Sequence, residues 1–289
     1  MVEKTVSRIL QGDCIELLEN LNVPVHLTFL DPPYNQGKDY RFFDDDQPAE
    51  KYWKWLKEVS QKIFNTTAEG GCIYFMQREK NAEEVLKVLR ETQWTFQNLI
   101  IWKKMTSAVP STIRYSKQYQ VIAFATKGRR PYTFNRLRID YPPRPNHKYG
   151  RENGIFVPDV WDDIRELTSG YYAGDEALRD DEGNRVHKQQ TPIELLLRII
   201  LSSTDSSNMV LDPMAGTGPA MVVAKQLDRN YVGIEIDPQY VKIINDRLDS
   251  IRPSDDVMQY WDYYRFTPNI EKIWTIKPQR SLLEEWQTH

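Results

Sequence analysis

The chain contains few of the residues that build cross-linked folds or metal sites. Its 289 residues include two cysteines, Cys14 and Cys72, and four histidines without the close spacing of metal ligands. Two cysteines do not make a disulfide framework. We therefore expect no structural disulfide and no bound metal ion, and we expect both cysteines to be buried rather than reactive.

Long apolar runs are also absent from the sequence. No stretch approaches the roughly 20 apolar residues that cross a bilayer, and the first ten residues, MVEKTVSRIL, lack the apolar segment of a secretory signal. Hydrophobic residues make up 40% of the chain and charged residues 27%, the usual balance of a globular protein. These features predict a cytoplasmic protein without membrane association, with one large domain or two small ones.

Acidic residues are scarce in one region, although the whole chain has a net charge of −3. Residues 103–151 hold twelve lysines and arginines but one acid, Asp140, so that twelve minus one leaves eleven positive charges. A charge run is often only a solvated surface. The lack of acids here favours a surface that binds a polyanion, and nucleic acid is the commonest one.

Aromatic residues alternate with these basic residues. Such rings either stack on bases or form a small core. They are Tyr115, Tyr119, Tyr132, Phe134, Tyr141 and Tyr149.

Strand-like segments alternate with helical ones along most of the chain, which predicts an α/β fold with a parallel sheet. The predicted strands are 25–31, 70–76, 96–102, 119–126, 208–213 and 231–237. The predicted helices are 48–66, 79–91, 191–204, 218–228 and 238–250. Residues 129–186 lack periodicity and are too long for an ordinary loop, so we interpret them as an inserted recognition region.

The segment LDPMAGTGPA (211–220) predicts a nucleoside-binding turn between a strand and a helix. Gly216 and Gly218 allow a tight turn and a close approach of the backbone to a ligand. Glu235 ends the next predicted strand, where a carboxylate can accept both hydroxyls of a ribose. The spacing is not GxGxxG, which argues against a dinucleotide. The alternative is a tight turn that binds nothing.

The segment DPPYN (31–35) follows another predicted strand. Asp31 offers a carboxylate acceptor, Pro32 and Pro33 fix the backbone φ angles, and Tyr34 offers an aromatic face. These groups suit a flat ring with an exocyclic amine, and the alternative is a proline-rich turn. Ligands of parallel sheets bind beyond the carboxyl ends of the strands, where Asp31, Asp212 and Glu235 all fall.

Together these motifs resemble the amino-group DNA methyltransferases that use S-adenosylmethionine, in the β-class order with DPPY before the glycine loop. The resemblance covers most of residues 8–248. It implies a Rossmann-like methyltransferase fold with a circularly permuted motif order and an inserted irregular target-recognition region. The implied divisions are a catalytic half (1–128), a target-recognition insert (129–186), a cofactor-binding half (187–250) and a C-terminal extension without an assigned role (251–289).

The resemblance also implies a role for individual residues. The catalytic residues would be Asp31, Pro32, Pro33 and Tyr34. The cofactor would contact Asp13, Cys14, Asp31, Lys188, Gln190, Thr191, Asp212, Met214, Ala215, Gly216, Thr217, Gly218, Glu235 and Ile236. The target base and DNA would contact Tyr115, Arg114, Lys117, Arg129, Arg130, Arg136, Arg138, Arg144 and Lys148.

The sequence departs from the family pattern at two places. Thr191-Pro192 stands where members often have Lys-Pro, which leaves the cofactor contact open between Lys188, Gln190 and Thr191. Tyr119-Gln120 stands where members often have His-Glu, which weakens any role for Gln120.

The implied function is transfer of a methyl group to the exocyclic amine of a base flipped out of double-stranded DNA. Asp31 and the Pro32 carbonyl would accept the amine hydrogens while Tyr34 stacks on the ring. Adenine N6 is favoured because DPPY is commoner with adenine, and cytosine N4 is the alternative. Further alternatives are an RNA or protein-amide methyltransferase and a DNA-binding module without catalysis. A cognate restriction endonuclease is a possible partner, and the protein would be a monomer or a homodimer.

Overall fold

The computed structural model of the chain describes residues 7–105, 112–140, 152–167, 174–187 and 189–275. The predicted contacts at Arg144, Lys148 and Lys188 lie outside these residues. The strands of the described part are β1 (Arg8–Gln11), β2 (Val25–Leu30), β3 (Asp39–Tyr40), β4 (Phe43–Asp44), β5 (Thr67–Arg78), β6 (Thr95–Lys103), β7 (Tyr119–Thr126), β8 (Arg138–Ile139), β9 (Ile155–Phe156), β10 (Val160–Trp161), β11 (Met209–Asp212) and β12 (Asn230–Glu235).

Eight of these strands form one sheet in the order β1-β12-β11-β2-β5-β7-β6-β10. Strands β3 and β4 form a separate hairpin, and β8 pairs with β9. The predicted parallel sheet needs one correction, because β7 runs antiparallel to both β5 and β6. A parallel return needs a crossover of a dozen or more residues, usually a helix. The described residues between β6 and β7 contain no helix, and the chain returns antiparallel.

Helices cover both faces of the sheet, as expected for an α/β fold. They are α1 (Cys14–Glu19), α2 (Ala49–Thr66), α3 (Ala82–Glu91), α4 (Ile193–Ser203), α5 (Pro219–Gln226), α6 (Pro238–Asp249), α7 (Trp261–Tyr264) and α8 (Ile270–Ile273). Helices α1 to α3 bury their apolar side chains on one face, and α4 to α6 on the other. Among the helices of the described residues, none has the length and apolar character to cross a membrane.

Part of the predicted recognition insert belongs to the core of the protein. Leu137, Ile139 and Ile164 are buried in the same cluster as α4 and α5. Trp161 is also buried there, and its strand β10 adds an edge to the sheet beside β6. The described residues of the insert therefore pack partly into the core, and both the division at 129–186 and its role in DNA recognition stay predictions.

The C-terminal extension is held to the core by a buried polar cluster. Arg198 of α4 is fully buried and forms an ion pair with Asp163 of the insert. Its Nε donates a hydrogen bond to the Tyr264 hydroxyl at 3.0 Å, and Tyr263 donates to Asp163 at 2.7 Å. Trp274 is also fully buried. Residues 251–275 thus lock the insert onto α4, which gives this extension a structural role.

The strand register brings four strand ends to one side of the sheet, which we call the carboxyl edge. Gln11 pairs with Glu235 in the parallel β1–β12 ladder, and Asp212 pairs with Gly233 in the β11–β12 ladder. Strand β2 runs parallel to β11 and ends at Leu30, directly before Asp31. The expectation that Asp31, Asp212 and Glu235 share one edge is confirmed. The opposite side, where these strands begin, is the amino edge.

Candidate active site

A cavity of about 580 Å³ opens at the carboxyl edge. Its walls come from the glycine loop after β11, from the segment after β2 and from residues 185–187 and 189–191. Twelve of the fourteen residues predicted to contact the cofactor line it: Asp13, Cys14, Asp31, Gln190, Thr191, Asp212, Met214, Ala215, Gly216, Thr217, Glu235 and Ile236.

The two glycines of the loop serve different purposes. Gly216 has a φ of +53° and donates its N–H to Glu235 Oε2 at 2.7 Å, and it lines the cavity. Gly218 has a φ of +75°, and a Cβ there would lie 2.8 Å from the side chain of Ile244 on α6. Gly218 does not line the cavity. The direct approach of Gly216 to a ligand stays a prediction that its place in the cavity wall favours, whereas Gly218 permits α6 to pack closely.

Three carboxyl groups gather in the cavity with raised pKa values. Burial is the main cause in each case: it raises the pKa of Asp31 to about 6 and that of Asp212 to about 8. The pKa of Glu235 is raised as well. The charges of Asp31 and Glu235 add to the shift at Asp212. A cluster of acids that resist ionisation favours a ligand with positive charge at this end of the cavity.

Hydrogen bonds hold both oxygens of Asp31. The Tyr34 hydroxyl donates to Oδ1 at 2.5 Å, and Thr191 Oγ1 donates to Oδ2 at 3.0 Å. Gln120 Nε2 donates to the Tyr34 hydroxyl at 2.9 Å. Gln120 therefore supports the position of Asp31 through Tyr34. The sequence had suggested a weak role for Gln120, because it departs from the family pattern. The chain Gln120–Tyr34–Asp31 connects β7 to the segment after β2.

The two prolines and Tyr34, which follow the end of β2, differ in their access to the cavity. Pro32 and Pro33 line the cavity, and Tyr52 of α2 donates to the Pro33 carbonyl at 2.6 Å. Tyr34 is buried, with 4% of its surface exposed, and does not line the cavity. In this arrangement its hydroxyl orients Asp31. Stacking of the ring on a base stays a prediction, because it requires the ring to become accessible.

A hairpin made of β3 and β4, which the sequence did not predict, covers one side of the cavity. The Asp45 carboxylate fixes the preceding loop by accepting from the backbone N–H groups of Asn35, Gln36 and Lys38. Tyr40 then donates to Gln189 Oε1 at 3.1 Å across the cavity. A run of acids in a short turn was the only sequence signal, and two-residue strands are too short to show periodicity.

The predicted DNA contacts do not lie together. Arg114 and Tyr115 are exposed just before β7 begins at the carboxyl edge, with Tyr115 98% exposed. Lys117 lies there too and forms a 2.6 Å ion pair with Glu79. Arg129 and Arg130 follow the other end of β7, at the amino edge. Arg129 and Arg130 therefore lie at the edge opposite the cavity, and their contact with DNA stays a prediction.

Arg136 and Arg138 are also away from the cavity. Their guanidinium groups lie 4.2 and 4.5 Å from the ring centroid of Phe156. Asn135, beside Arg136, donates to the Ser202 carbonyl at the end of α4, on the amino-edge side. Arg138 donates to the Gly154 carbonyl at 3.2 Å. These arginines contribute to the packing of β8 and β9.

The two cysteines are buried, as expected. Burial raises the pKa of both thiols to about 12. Cys14 is the first residue of α1, and Asp13 caps this helix by accepting from the N–H of Ile15 at 2.8 Å. Neither thiol is disposed to ionise, which counts against a cysteine nucleophile.

The fold and the cavity together define a Rossmann-like methyltransferase with the catalytic motif before the glycine loop. The model of the N6/N4 DNA methylase family matches residues 25–246, so the chain belongs to this family of DNA methyltransferases. It is 30% identical over 244 residues to the type II methyltransferase M.HpaI of Haemophilus parainfluenzae, covering 84% of this chain and 74% of that protein. It is 31% identical to the DNA adenine methyltransferase YhdJ of Escherichia coli, covering 83% and 82%.

Solved structures support the fold. The M1.HpyAVI complex with S-adenosylmethionine has a TM-score of 0.58 and 22% identity, covering 84% of this chain and 98% of the other. The PvuII cytosine-N4-specific methyltransferase has a TM-score of 0.61 and 16% identity, covering 90% and 93%. The predicted α/β methyltransferase fold, enzyme class and S-adenosylmethionine cofactor are confirmed.

The residues present fit S-adenosylmethionine. The cofactor carries a sulfonium and an ammonium group, which suit the acids of the cavity. Thr217 Oγ1 is buried and has no hydrogen-bond partner among the described residues, so the cavity wall offers a polar atom for a ligand. Gly216 lines the cavity, and the space beside its Cα is bounded by the imidazole of His187, 3.5 Å from a would-be Cβ.

Proposed function

We propose that the protein methylates the exocyclic amine of a base at specific sites in double-stranded DNA, with adenine N6 as the target. The observation that carries the proposal is the position of Asp31, held by Tyr34 and Thr191 at the wall of the cofactor cavity. The DPPY form of the motif and the name of the adenine methyltransferase that shares 31% identity favour adenine over cytosine.

In this proposal the cofactor supplies an electrophilic methyl group when it is bound. Asp31 and the Pro32 carbonyl accept the two hydrogens of the target amine and so fix its orientation. Tyr52 holds the adjacent Pro33 carbonyl, which makes the Pro32–Pro33 step rigid. Positioning and electrostatic complementarity then provide most of the rate enhancement, because a delocalised amine is a poor nucleophile without alignment.

Asp31 also suits the proton that the amine must lose. Burial raises the pKa of Asp31 to about 6, closer to neutrality than an exposed carboxylate. A base with such a pKa is charged at pH 7 and still accepts a proton readily. Tyr34 and Gln120 keep the accepting carboxylate in place. After transfer, Asp31 releases the proton to solvent as the product leaves.

The remaining cavity residues divide between the parts of the cofactor. Glu235 would accept the ribose hydroxyls, since Gly216 and Asp237 hold its carboxylate in place through their N–H groups. Asp13 and Cys14 would flank the adenine. Asp212 would face the positively charged end, where its raised pKa falls once a cation binds.

The DNA would approach the carboxyl edge, where Arg114, Tyr115 and Lys117 precede β7. Arg114 and Lys117 would contact phosphates, and the exposed ring of Tyr115 would pack beside the flipped base. Residues 129–186 would take part in target recognition through the portion close to this edge. A cognate endonuclease and a monomeric or dimeric state belong to the same proposal.

One experiment separates the candidate functions. Purified protein is incubated with S-adenosylmethionine and unmethylated genomic DNA, which is then digested to nucleosides and measured by mass spectrometry. We expect N6-methyladenine. N4-methylcytosine would overturn the choice of base, and methylated RNA or protein amide without methylated DNA would overturn the substrate. DNA binding without any methyl transfer would favour a non-catalytic module.

A further inference from the structure

One charged side chain at the cavity has no counterpart in the proposed mechanism. Arg185 lines the cavity, and its Nε and Nη2 are shielded from solvent without a hydrogen-bond partner among the described residues. Burial, and to a lesser degree the charge of Arg179, lower the pKa of Arg185. A guanidinium in such surroundings is costly unless an anion or several acceptors satisfy it. The arrangement indicates a missing acceptor.

The location of Arg185 relates it to the glycine loop. Residues 178–186 form a turn in which Val186 donates its N–H to the Leu178 carbonyl at 3.0 Å. Two residues further on, the His187 imidazole faces Gly216, and the charge of Arg185 contributes to its lowered pKa of about 4. Thr191 then reaches Asp31. Residues 185–187 and 189–191 therefore line the cavity from Arg185, past the glycine loop, to the catalytic carboxylate.

The other candidates for an anion contact are already engaged. Gln190 accepts from the Leu178 N–H at 3.1 Å and donates to the Glu176 carbonyl at 3.0 Å. Arg41 also lines the cavity, but it lies 3.8 Å from Asp237. Burial lowers the pKa of His187 to about 4, so its imidazole is neutral at pH 7. Arg185 is thus the described cation best placed to receive an anion.

We propose that Arg185 binds the α-carboxylate of S-adenosylmethionine, a contact for which Thr191, whose neutral side chain donates to Asp31, supplies no charge. This proposal rests on the cofactor of the proposed function and adds the residue that orients its amino-acid tail. The acids Asp31 and Asp212 attract the positive groups of the cofactor, whereas Arg185 attracts its one negative group. Opposite charges at separate places in the cavity then fix the direction in which the cofactor lies.

The test compares S-adenosylmethionine with its decarboxylated form, which keeps the sulfonium and the amine but lacks the carboxylate. Affinities are measured by isothermal titration calorimetry for the wild type, Arg185→Gln and Arg185→Lys. Arg179→Gln is the matched control, because Arg179 faces Arg185 across the same turn and contacts the Gly183 carbonyl instead of the cavity. Circular dichroism and thermal unfolding establish that each variant is folded.

We expect Arg185→Gln to weaken S-adenosylmethionine binding about 10- to 100-fold, the usual effect of a charge-assisted hydrogen bond. Affinity for the decarboxylated form should stay unchanged, Arg185→Lys should give an intermediate loss, and Arg179→Gln should match the wild type. An equal loss for both ligands, or no loss for either, would overturn the role of Arg185. Failure of the wild type to bind S-adenosylmethionine would instead overturn the cofactor assignment.

Discussion

The carboxyl edge and the amino edge of the sheet differ in what their charged residues do. At the carboxyl edge, Asp31, Asp212 and Glu235 are drawn into one cavity, and their pKa values are raised. At the amino edge, Arg129 and Arg130 are exposed beside the end of β7. Both the acids and the arginines are prominent in the sequence, but of these two groups the acids are the ones that meet in a cavity.

The geometry of β7 explains this difference. Its eight residues span roughly 25 Å at about 3.3 Å per residue. A basic run that includes β7 is therefore divided between opposite edges of the sheet. Acidic residues at the ends of neighbouring parallel strands lie close together instead, because the parallel register places those ends at the same edge. Proximity in space follows from strand direction, so a charge count along the chain overestimates the size of a binding surface.

Removal of the Asp31 carboxylate should have the largest effect on methyl transfer. We expect Asp31→Ala to reduce methyl transfer at least about 10³-fold, because the amine loses its acceptor and its orientation. Binding of DNA should remain within a few-fold of the wild type. Initial rates with radiolabelled S-adenosylmethionine measure the loss. The control is Asp205→Ala at the amino edge, where the carboxylate accepts from Thr133; equal losses in both variants would refute the contrast.

The pH dependence should report the acids of the carboxyl edge. Burial raises the pKa of Asp31 to about 6 and that of Asp212 to about 8, so both are partly protonated where ordinary carboxyl groups are fully charged. Their charged forms attract the cationic cofactor and orient the amine. We therefore expect kcat/KM for S-adenosylmethionine to fall by up to about tenfold per pH unit between about pH 8 and 6, and more steeply below 6, where both groups are protonated.

The variant Asp212→Asn shows which part of the pH profile comes from Asp212. It should abolish the dependence near pH 8 and leave the fall near pH 6, which belongs to Asp31. A profile that is flat between pH 5.5 and 8.5 in the wild type would contradict the raised pKa values.

The sequence predicted the long elements and the strand-end acids because both depend on local pattern. The apolar runs of β2, β11 and β12 and the glycine loop between two strands specify their own conformation. It did not predict β1, the β3–β4 hairpin or β10, because these strands have two to four residues without the fully buried apolar run that marks the four-residue β11. It also missed Gln120 and Arg185, whose roles arise from neighbours distant in sequence. The sequence therefore predicted the cavity residues that lie within motifs, but it did not predict the contacts that support them.

A smaller effect should come from the support of Asp31. Gln120 at the start of β7 donates to Tyr34, while Thr126 at its end donates to the Gly128 carbonyl at 2.8 Å. We expect Gln120→Met to lower kcat about fivefold, the worth of one neutral hydrogen bond, with little change in KM. Thr126→Val should alter thermal stability and leave kcat unchanged. An unchanged kcat in Gln120→Met would show that Tyr34 orients Asp31 without help.

The smallest effect concerns DNA binding by the two ends of the basic run. We expect Arg114→Gln at the carboxyl edge to weaken binding of a short duplex about three- to tenfold at low salt and to reduce the slope of log K against log salt by about one phosphate contact. Arg129→Gln at the amino edge should leave both quantities unchanged, since DNA docked at the cavity does not reach it. Fluorescence anisotropy across a salt series measures them. A larger loss in Arg129→Gln would mean that the DNA wraps across the sheet, and the division of function between the two edges would no longer hold.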